Sequence, residues 1–412
     1  MTATTARRSR SGVVPVTATL IGTIALQSAV PPFATDMYTP AFPRVTADLG
    51  TTASLVGLTL TAFFIGLALG QLVGGPWSDQ RGRRLPLLIG GLVCGLGAVG
   101  CALAPSIGWL VAARVVQGLG GGIAAAVARA VIVDVARGDT LARVMSVLQA
   151  LGGIAPMVAP VAGALVLTAA DWRMIFWSLA GLGALMVLTT IWFVPETLPA
   201  ERRHSGGLRT TLAGFGTLLS IRPFVGYMLV ATFSAFTMMG YIANAAYVLQ
   251  AMKGMQPLPY SLFFAATAFA QILLSILNAR LIGRARPRTM IIVGLTASTI
   301  AVAALVLGVL LWDTPLILTC AGFLILMAAQ GFIFGNAGAL AALQATHLAG
   351  AAAALQGVAY ATAMAISAPL ASAGGAQTAV PMIAVMAAGA ALAVGSLAYT
   401  GRTTAGTPGS QQ

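Results

Sequence analysis

The sequence has very few charged residues for its length. Only 8% of its 412 residues are Asp, Glu, Lys or Arg, and 58% are hydrophobic, whereas about a quarter of the residues in a soluble chain are charged. So few charges cannot cover the surface of a water-soluble protein of this size. Since one bilayer crossing takes about 20 apolar residues, the composition predicts an all-α membrane protein with about twelve spans.

Cysteine and histidine are also scarce. Cys94, Cys101 and Cys320 fall inside apolar segments without C-x-x-C spacing, and His204 and His347 fall in predicted loops. This pattern excludes a disulfide framework and supplies no set of metal ligands. The sequence contains neither the H-E-x-x-H pattern nor the G-x-S-x-G pattern of hydrolases. We therefore predict no metal, no cofactor and no enzymatic activity, and a membrane-embedded enzyme is the weakest of the alternatives.

The net charge of +13 comes from basic residues that cluster in the termini and in every second connection. The alternate connections hold little beyond Arg44, Arg173 and Lys253. This alternation follows the positive-inside rule for cytoplasmic loops and does not form the basic face of a nucleic-acid-binding domain. It predicts a multi-pass protein whose two termini are both cytoplasmic.

The predicted spans form two groups of six. They cover residues 14–40, 52–76, 84–104, 108–133, 142–168 and 173–194, then 223–250, 258–281, 288–311, 315–341, 351–374 and 378–399. The bundles therefore cover 14–194 and 223–399, between a cytoplasmic N-terminus (1–13), a central cytoplasmic loop (195–222) with an amphipathic stretch, and a C-terminal tail (400–412). The connection GPWSDQRGRRLP (75–86) has an echo, NARLIGRARPR (278–288), in the second half. This repeat predicts two pseudo-symmetric six-helix bundles around a central site.

Ionisable residues inside the predicted spans are rare and are functional by default. Asp36 lies in the outer half of the first span, and Arg114 lies at a similar depth near the start of the fourth. We expect them to face one water-filled cavity, where a proton or a substrate could separate the pair. The alternative is a static buried ion pair that locks two helices together.

Aromatic and amide side chains in the spans are candidates for lining a pocket for lipophilic ligands. Some could instead be lipid-facing or packing residues. The candidates are Tyr38, Gln117, Phe236, Tyr241, Asn244, Gln271, Asn336 and Tyr360.

The stretch GPWSDQRGRR, from Gly75 to Arg84, resembles the G-x-x-x-D-R-x-G-R-R/K motif between the second and third helices of major facilitator transporters. In that family the Asp, here Asp79, caps a helix of the opposite half in the outward-facing state. The Arg that matches Arg83 pairs with an acid at the end of the fourth helix, a position that Asp134 fits. Gln replaces the usual Arg after the Asp.

Two further motifs resemble those of proton-coupled exporters in this family. RVVQGLGGG, which begins at Arg114 and includes Gln117, is similar to the R-x-x-Q-G-x-G motif of the fourth helix. ALGGIAPMVAPVAGALV (150–166) is similar to the G-x-x-x-G-P-x-x-G-G motif of the fifth, with Pro160 and Gly163 retained and with Ala155 and Ala159 where Gly is usual. The resemblance implies that Arg114 takes part in proton transfer and that Pro160 and Gly163 take part in the conformational change.

ATDMYTPAFP (34–43), DWRMIFW (171–177) and VPETL (194–198) resemble the bicyclomycin-resistance and chloramphenicol-efflux group, which is also called Bcr/CflA. The resemblance implies proton-coupled efflux of small lipophilic drugs across a bacterial plasma membrane by a monomer, with Asp36 binding the proton and the substrate. A proton-coupled importer of a small nutrient on the same fold is the closest alternative.

Overall fold

The computed structural model is almost entirely helical. It describes residues 17–136, 138–203, 208–281, 283–312, 314–345, 348–375 and 377–401, without the side chains of 138–143, 145–153, 202, 208–213 and 349–350. Within these ranges there is no strand. The predicted N-terminal tail, residues 402–412 of the predicted C-terminal tail, His204, His347 and Asp313 lie outside the described residues.

The N-terminal half contains six long helices and one short one. They are α1 (Ala18–Asp36), α2 (Phe42–Asp48), α3 (Ala53–Arg81), α4 (Arg84–Ala102), α5 (Ile107–Val135), α6 (Gly138–Ala169) and α7 (Arg173–Phe193). The long helices match the six predicted spans to within a few residues. The short helix α2 was not predicted.

The C-terminal half repeats this arrangement after a connecting helix, α8 (Leu208–Ser220). Its long helices are α9 (Arg222–Ala246), α10 (Pro257–Leu281), α11 (Pro287–Trp312), α12 (Leu316–Leu343), α13 (Ala349–Ala371) and α14 (Val380–Tyr399), and a π-helical turn (Tyr247–Met252) extends α9. In the described part of the chain, ten helices are long and apolar enough to cross a membrane. The remaining two long helices, α1 and α6, each contain two prolines.

Local sequence signals explain where several helices begin and end. The hydroxyls of Thr17, Thr52 and Ser106 accept hydrogen bonds from the first-turn amides of α1, α3 and α5, which supplies partners for otherwise unpaired donors. Helix α3 ends at Arg81 and is followed by Gly82, whose φ of +91° strongly favours glycine. A Cβ at Gly82 would also lie 2.3 Å from the Glu196 carboxylate.

Glycines allow α3 and α5 to pack backbone against backbone. A Cβ at Gly118 would lie 2.1 Å from the carbonyl oxygen of Phe63, and one at Gly122 would lie 2.2 Å from that of Leu67. Small residues at such contacts are expected in membranes, where hydrophobicity alone does not hold helices together. This packing fixes the side of α3 that faces the other half of the molecule.

We call the end of the bundle that carries α2 the outer end, and the end that carries α8 the inner end. The side-chain hydrogen bonds between the two halves in the described residues all lie toward the outer end. Thr46 bonds to the hydroxyl of Tyr247 at 2.8 Å and Gln250 donates to the Pro40 carbonyl at 3.2 Å. Two further bonds join α3 to α13, from Ser54 to Pro369 O and from Thr61 to Ala365 O. The outer end is therefore closed.

The first connection is also held to the start of α7 at the outer end. Arg173 donates to the Asp48 carboxylate at 2.7 Å, and the Trp172 indole donates to the same oxygen at 3.0 Å. These hydrogen bonds hold the pKa of Asp48 below its usual range. Trp172 and Arg173 of DWRMIFW thus orient the segment that follows Asp36.

Candidate functional site

A cavity of about 310 Å³ lies between the two halves. Its wall is mainly apolar, and its polar side chains are Thr35, Asp36, Gln271 and Tyr360. Both halves contribute to the lining, which comprises Pro31, Pro32, Thr35, Asp36, Phe63, Phe64, Leu67, Pro156, Met238, Met239, Ile242, Phe264, Ala268, Gln271, Met327, Phe334, Tyr360 and Met364.

Among the described residues, Asp36 provides the one carboxylate in this lining. It is the last residue of α1, its side chain is buried, and Thr35 donates a hydrogen bond to Oδ1 at 3.1 Å. It forms no ion pair with any basic side chain that the structure describes. Gln271 and Tyr360 of the C-terminal half line the same cavity. Asp36 therefore lies where the two halves meet.

Arg114 does not pair with Asp36, contrary to our expectation from depth alone. Its Nη1 donates to the Ala34 carbonyl at 2.9 Å and to Gln117 Oε1 at 2.7 Å, and its Nε donates to the Thr59 carbonyl at 3.4 Å. These neutral acceptors hold the guanidinium inside the N-terminal bundle, where it is fully buried, whereas Asp36 faces the cavity. The two residues therefore lie at a similar depth, but only Asp36 faces the cavity.

Aromatic rings surround the Arg114 guanidinium. Its Cζ lies 4.5 Å from the centroid of Phe63, 5.4 Å from that of Tyr38 and 5.8 Å from that of Phe176. The negative faces of aromatic rings attract such a cation. Phe63 also lines the cavity, so one ring separates the buried cation from the space between the halves.

The predicted lining candidates divide into two groups. Gln271 and Tyr360 line the cavity. Tyr38 and Gln117 contact Arg114, and Tyr241 bonds to Thr267 and stacks on Phe264 inside the C-terminal half.

The remaining candidates also lie outside the lining. The ring of Phe236 is directed toward Gly389 of α14. Asn336 donates to Asn278 at 2.8 Å. Asn244 is fully buried, and neither atom of its amide has a hydrogen-bond partner among the described residues. Because all faces of these helices are apolar, composition gave no indication of which face each side chain occupies.

Methionines that the sequence reasoning missed form a large part of the wall. They are Met238 and Met239 of α9, Met327 of α12 and Met364 of α13. Unbranched methionine side chains adapt to irregular shapes, and with Phe64 and Phe334 they give a surface suited to apolar ligands of different shape. The pair Met238–Met239 in mid-span was the signal available in the sequence.

A charged cluster lies at the inner end of the N-terminal half. Arg83 Nη1 lies 2.6 Å from Asp79 Oδ1, and Arg83 Nε lies 2.8 Å from Asp134 Oδ2. Glu196, from VPETL, accepts the backbone N–H of Arg83 at 2.7 Å. The cluster joins the ends of α3, α5 and α7.

Of the other motif residues, Gly163 is required by packing and Gly75 is not. A Cβ at Gly163 would lie 2.0 Å from the Met37 carbonyl oxygen, whereas nothing lies within 4 Å of one at Gly75. Pro160 lies one turn before Gly163, in α6. The motif of the fifth span therefore contacts the chain next to Asp36.

Comparison with known proteins agrees with this architecture. Residues 24–369 match the family model of the Major Facilitator Superfamily. The chain is 36% identical to an MFS-type transporter of Bacillus subtilis, YdgK, over 93% of this chain and 94% of the relative. It is 30% identical to a bicyclomycin resistance protein homolog of Haemophilus influenzae, over 92% and 94%.

A solved structure of the Escherichia coli xylose transporter XylE, in a partially occluded inward-open conformation, shares the fold. The TM-score is 0.73 with 14% identity, over 96% of this chain and 99% of that one. The protein is thus a multi-pass membrane transporter and belongs to the major facilitator superfamily. Its relatives agree with the resemblance to the Bcr/CflA group, and it is not an enzyme.

Proposed function

We propose that this transporter exports small, fairly lipophilic drugs in exchange for protons. The observation that carries the proposal is that Asp36 is the single carboxylate among the described residues that line a mainly apolar cavity between the two halves. A carboxylate without an ion-pair partner can bind a proton or a positively polarised group of a substrate, but not both at once. Such competition couples the movement of the proton to the movement of the drug.

The cavity limits the chemistry of the substrate. At about 310 Å³ it is at the lower end of the size range of drug sites. Methionine and aromatic side chains dominate its wall, and Gln271 and Tyr360 add two hydrogen-bonding groups. A sugar would need many more polar partners to replace its hydration. Phenicol-like and bicyclomycin-like compounds are therefore our candidates.

Alternating access provides the mechanism on this fold, with the two bundles rocking about the central site. In the proposed topology both termini and the connection 195–222 are cytoplasmic, so the outer end faces away from the cytoplasm. The bonds of Thr46 with Tyr247 and of Gln250 with Pro40 would break when the outer end opens. A proton would then reach Asp36 and displace the drug, and the reverse movement would release the proton inside.

The proton gradient supplies the free energy for this exchange. Each charge that crosses the membrane with the potential contributes roughly 2.3 kcal/mol per 100 mV. The bicyclomycin resistance homolog and the retained Pro160 and Gly163 favour export. A proton-coupled importer of a small nutrient on the same fold remains the alternative function.

Drug accumulation in bacteria that lack their own exporters tests this proposal. Cells that express the chain should accumulate less chloramphenicol or bicyclomycin than cells with an empty vector. A protonophore should remove the difference. A normal level of protein in the membrane without any change in accumulation would contradict drug export, and gradient-dependent accumulation of a nutrient would support the importer.

We further propose that the cluster around Arg83 serves the conformational change. Asp79 is half-exposed, so it is available to another partner when the inner end closes. The carboxylate of such a residue favours a helix N-terminus, and in the family the corresponding Asp caps a helix of the other half. Gly75, Asp79, Arg83 and Asp134 form the inner part of this proposed device, and Pro160 with Gly163 forms the part next to Asp36.

Exchanging the charges of Arg83 and Asp134 tests the cluster. Arg83→Ala should strongly reduce export, because removing one partner of a fully buried pair costs about 3–5 kcal/mol. The cost here is lower, because Asp79 is half-exposed and Asp134 is partly exposed. Arg83→Asp combined with Asp134→Arg should recover part of the export that either single change removes. A double variant no better than the single ones would contradict a role for this pair. Transport and the amount of folded protein should be measured together.

A further inference from the structure

A second arginine, Arg129, lies inside α5 and has no part in the mechanism above. It precedes the end of α5 at Val135 by about 9 Å, at 1.5 Å per residue. Its side chain is exposed, although Val127 and Ala128 beside it are buried. An exposed cation within a span needs a cause other than packing.

The side chain of Arg129 leans toward the outer end of α5 and away from the inner end. Its Nε donates to the carbonyl of Ala125, four residues earlier, at 3.3 Å. An arginine that reached for lipid phosphates would extend toward the inner membrane surface instead. The hydrogen bond therefore holds the guanidinium near the level of Ala125. Along the axis of α5, Ala125 is four residues, or about 6 Å, from Gly121. Gly121 packs against Pro31, which lies in the cavity wall.

Helical geometry gives the face of α5 that Arg129 occupies. It follows Gly122 by seven residues, which is about two turns, so both lie on one face. Gly122 packs against Leu67 and Gln71 of α3, and the Gln71 side chain approaches Gly357 of α13 in the other half. Arg129 thus lies on the side of α5 that faces α3, the helix whose Gln71 borders the gap between the halves. Because the outer end is closed, this gap is approached from the inner end.

The charge of Arg129 is not neutralised by the described residues. It has no ion pair there, and Asp79 and Asp134 both bind Arg83. Between Pro223 and Tyr399 the sequence contains one acid, Asp313, in the connection between α11 and α12. The C-terminal half therefore offers almost no carboxylate to pair with Arg129, whose charge makes its surroundings locally positive. Such surroundings attract anions and repel cations.

We propose that Arg129 binds an anionic group, such as a carboxylate, of an amphiphilic substrate at the inner entrance of the cavity. The apolar part of the substrate lies against the methionines and aromatic rings, and its anionic group lies about one helical turn further toward the inner end. The site selects anionic and neutral amphiphiles over cationic ones. This inference rests on the proposed export of drugs and specifies the class of compound.

The test uses two probes that differ only in charge, chloramphenicol succinate and its methyl ester. Binding to the purified full-length protein is measured by calorimetry in nanodiscs of phosphatidylcholine, which contain no anionic headgroups to compete. Arg129→Ala should weaken binding of the succinate by about tenfold or more, as expected for a lost hydrogen bond to a charged group. Binding of the ester should not change, which also shows that the variant is folded. Arg129→Lys should retain most of the affinity.

Arg280→Ala is the matched control, because it removes the same charge from an exposed position in the last turn of α10. It should leave both affinities unchanged. Equal losses in the two alanine variants, or equal losses for the two compounds, would overturn the inference while leaving drug export intact. Wild-type protein that binds neither compound would also overturn it, and the accumulation assay would decide separately whether export fails.

Discussion

Replacing Asp36 with Asn should abolish proton-driven drug transport while leaving the protein folded. Asn has nearly the same shape but cannot bind and release a proton, so drug and proton would no longer compete for one group. Proteoliposomes with an imposed pH gradient give the measurement. We expect transport by the Asn variant to fall to the level of empty liposomes, and equilibrium binding of a neutral drug to persist.

The environment of Asp36 explains why the effect should be so large. Among the described residues it is the only acid in the cavity wall, so no neighbour can replace it. Asp36→Glu keeps a titratable group in the same place and should retain part of the activity. Asp171→Asn makes the same chemical change at the outer end, where Asp171 is exposed and its partner is Arg173, and should transport normally.

Two outcomes would contradict this assignment. If Asp36→Asn still concentrates drug against a gradient, and a protonophore still stops it, the proton is carried elsewhere. If the Asn and Glu variants lose drug binding along with transport, Asp36 serves the shape of the site and not the exchange of protons. Measuring binding and transport on the same preparations separates these cases.

Hydropathy predicted the long helices well because a bilayer imposes one length on all of them. The predicted span 84–104 corresponds to α4 at Arg84–Ala102, and 378–399 corresponds to α14 at Val380–Tyr399. The amphipathic stretch predicted before Arg222 corresponds to α8. The short helix α2 and the π-helical turn after α9 were not predicted, since contacts between the halves such as that of Thr46 with Tyr247 determine them.

The sequence predicted how deep in the bundle the candidate site residues lie, but not the direction in which their side chains point. Asp36 and Arg114 were correctly expected at one level of the bundle, since Arg114 bonds to the carbonyl of Ala34. The rotation of each helix about its axis was not predicted, because it depends on which face of the helix meets the cavity. In a soluble helix the polar face reveals this rotation. Here nearly every face is apolar, so Met327 in the wall and Phe236 outside it look alike in the sequence.

The same limitation concealed Arg129. The sequence places it six residues before the end of α5, where the positive-inside rule accounts for any arginine. Its hydrogen bond back to Ala125 shows that the side chain leans toward the outer end and does not extend toward the inner membrane surface. This orientation is seen in the structure and does not follow from the residue type.

Arg114→Lys should be nearly as damaging as Asp36→Asn, although it preserves the charge. The guanidinium makes hydrogen bonds with the carbonyls of Ala34 and Thr59 and with the Gln117 amide, and its plane lies among three aromatic rings. A lysine ammonium is compact and strongly hydrated, so it cannot form this planar set of bonds. Each lost hydrogen bond to a charged group costs about 1.5–3 kcal/mol when the partner stays buried.

We therefore expect Arg114→Lys to lower the melting temperature of the purified protein and to remove most of its transport. Arg222→Lys is the matched control, because Arg222 also lies over a ring, 4.7 Å from the centroid of Tyr399, and donates to a carbonyl. That site is exposed, where water replaces lost bonds, so its variant should melt and transport like the wild type. Similar behaviour of the two variants would mean that Arg114 acts through its charge alone. A normal melting temperature with lost transport would instead assign Arg114 a direct part in moving the proton, separate from its role in packing.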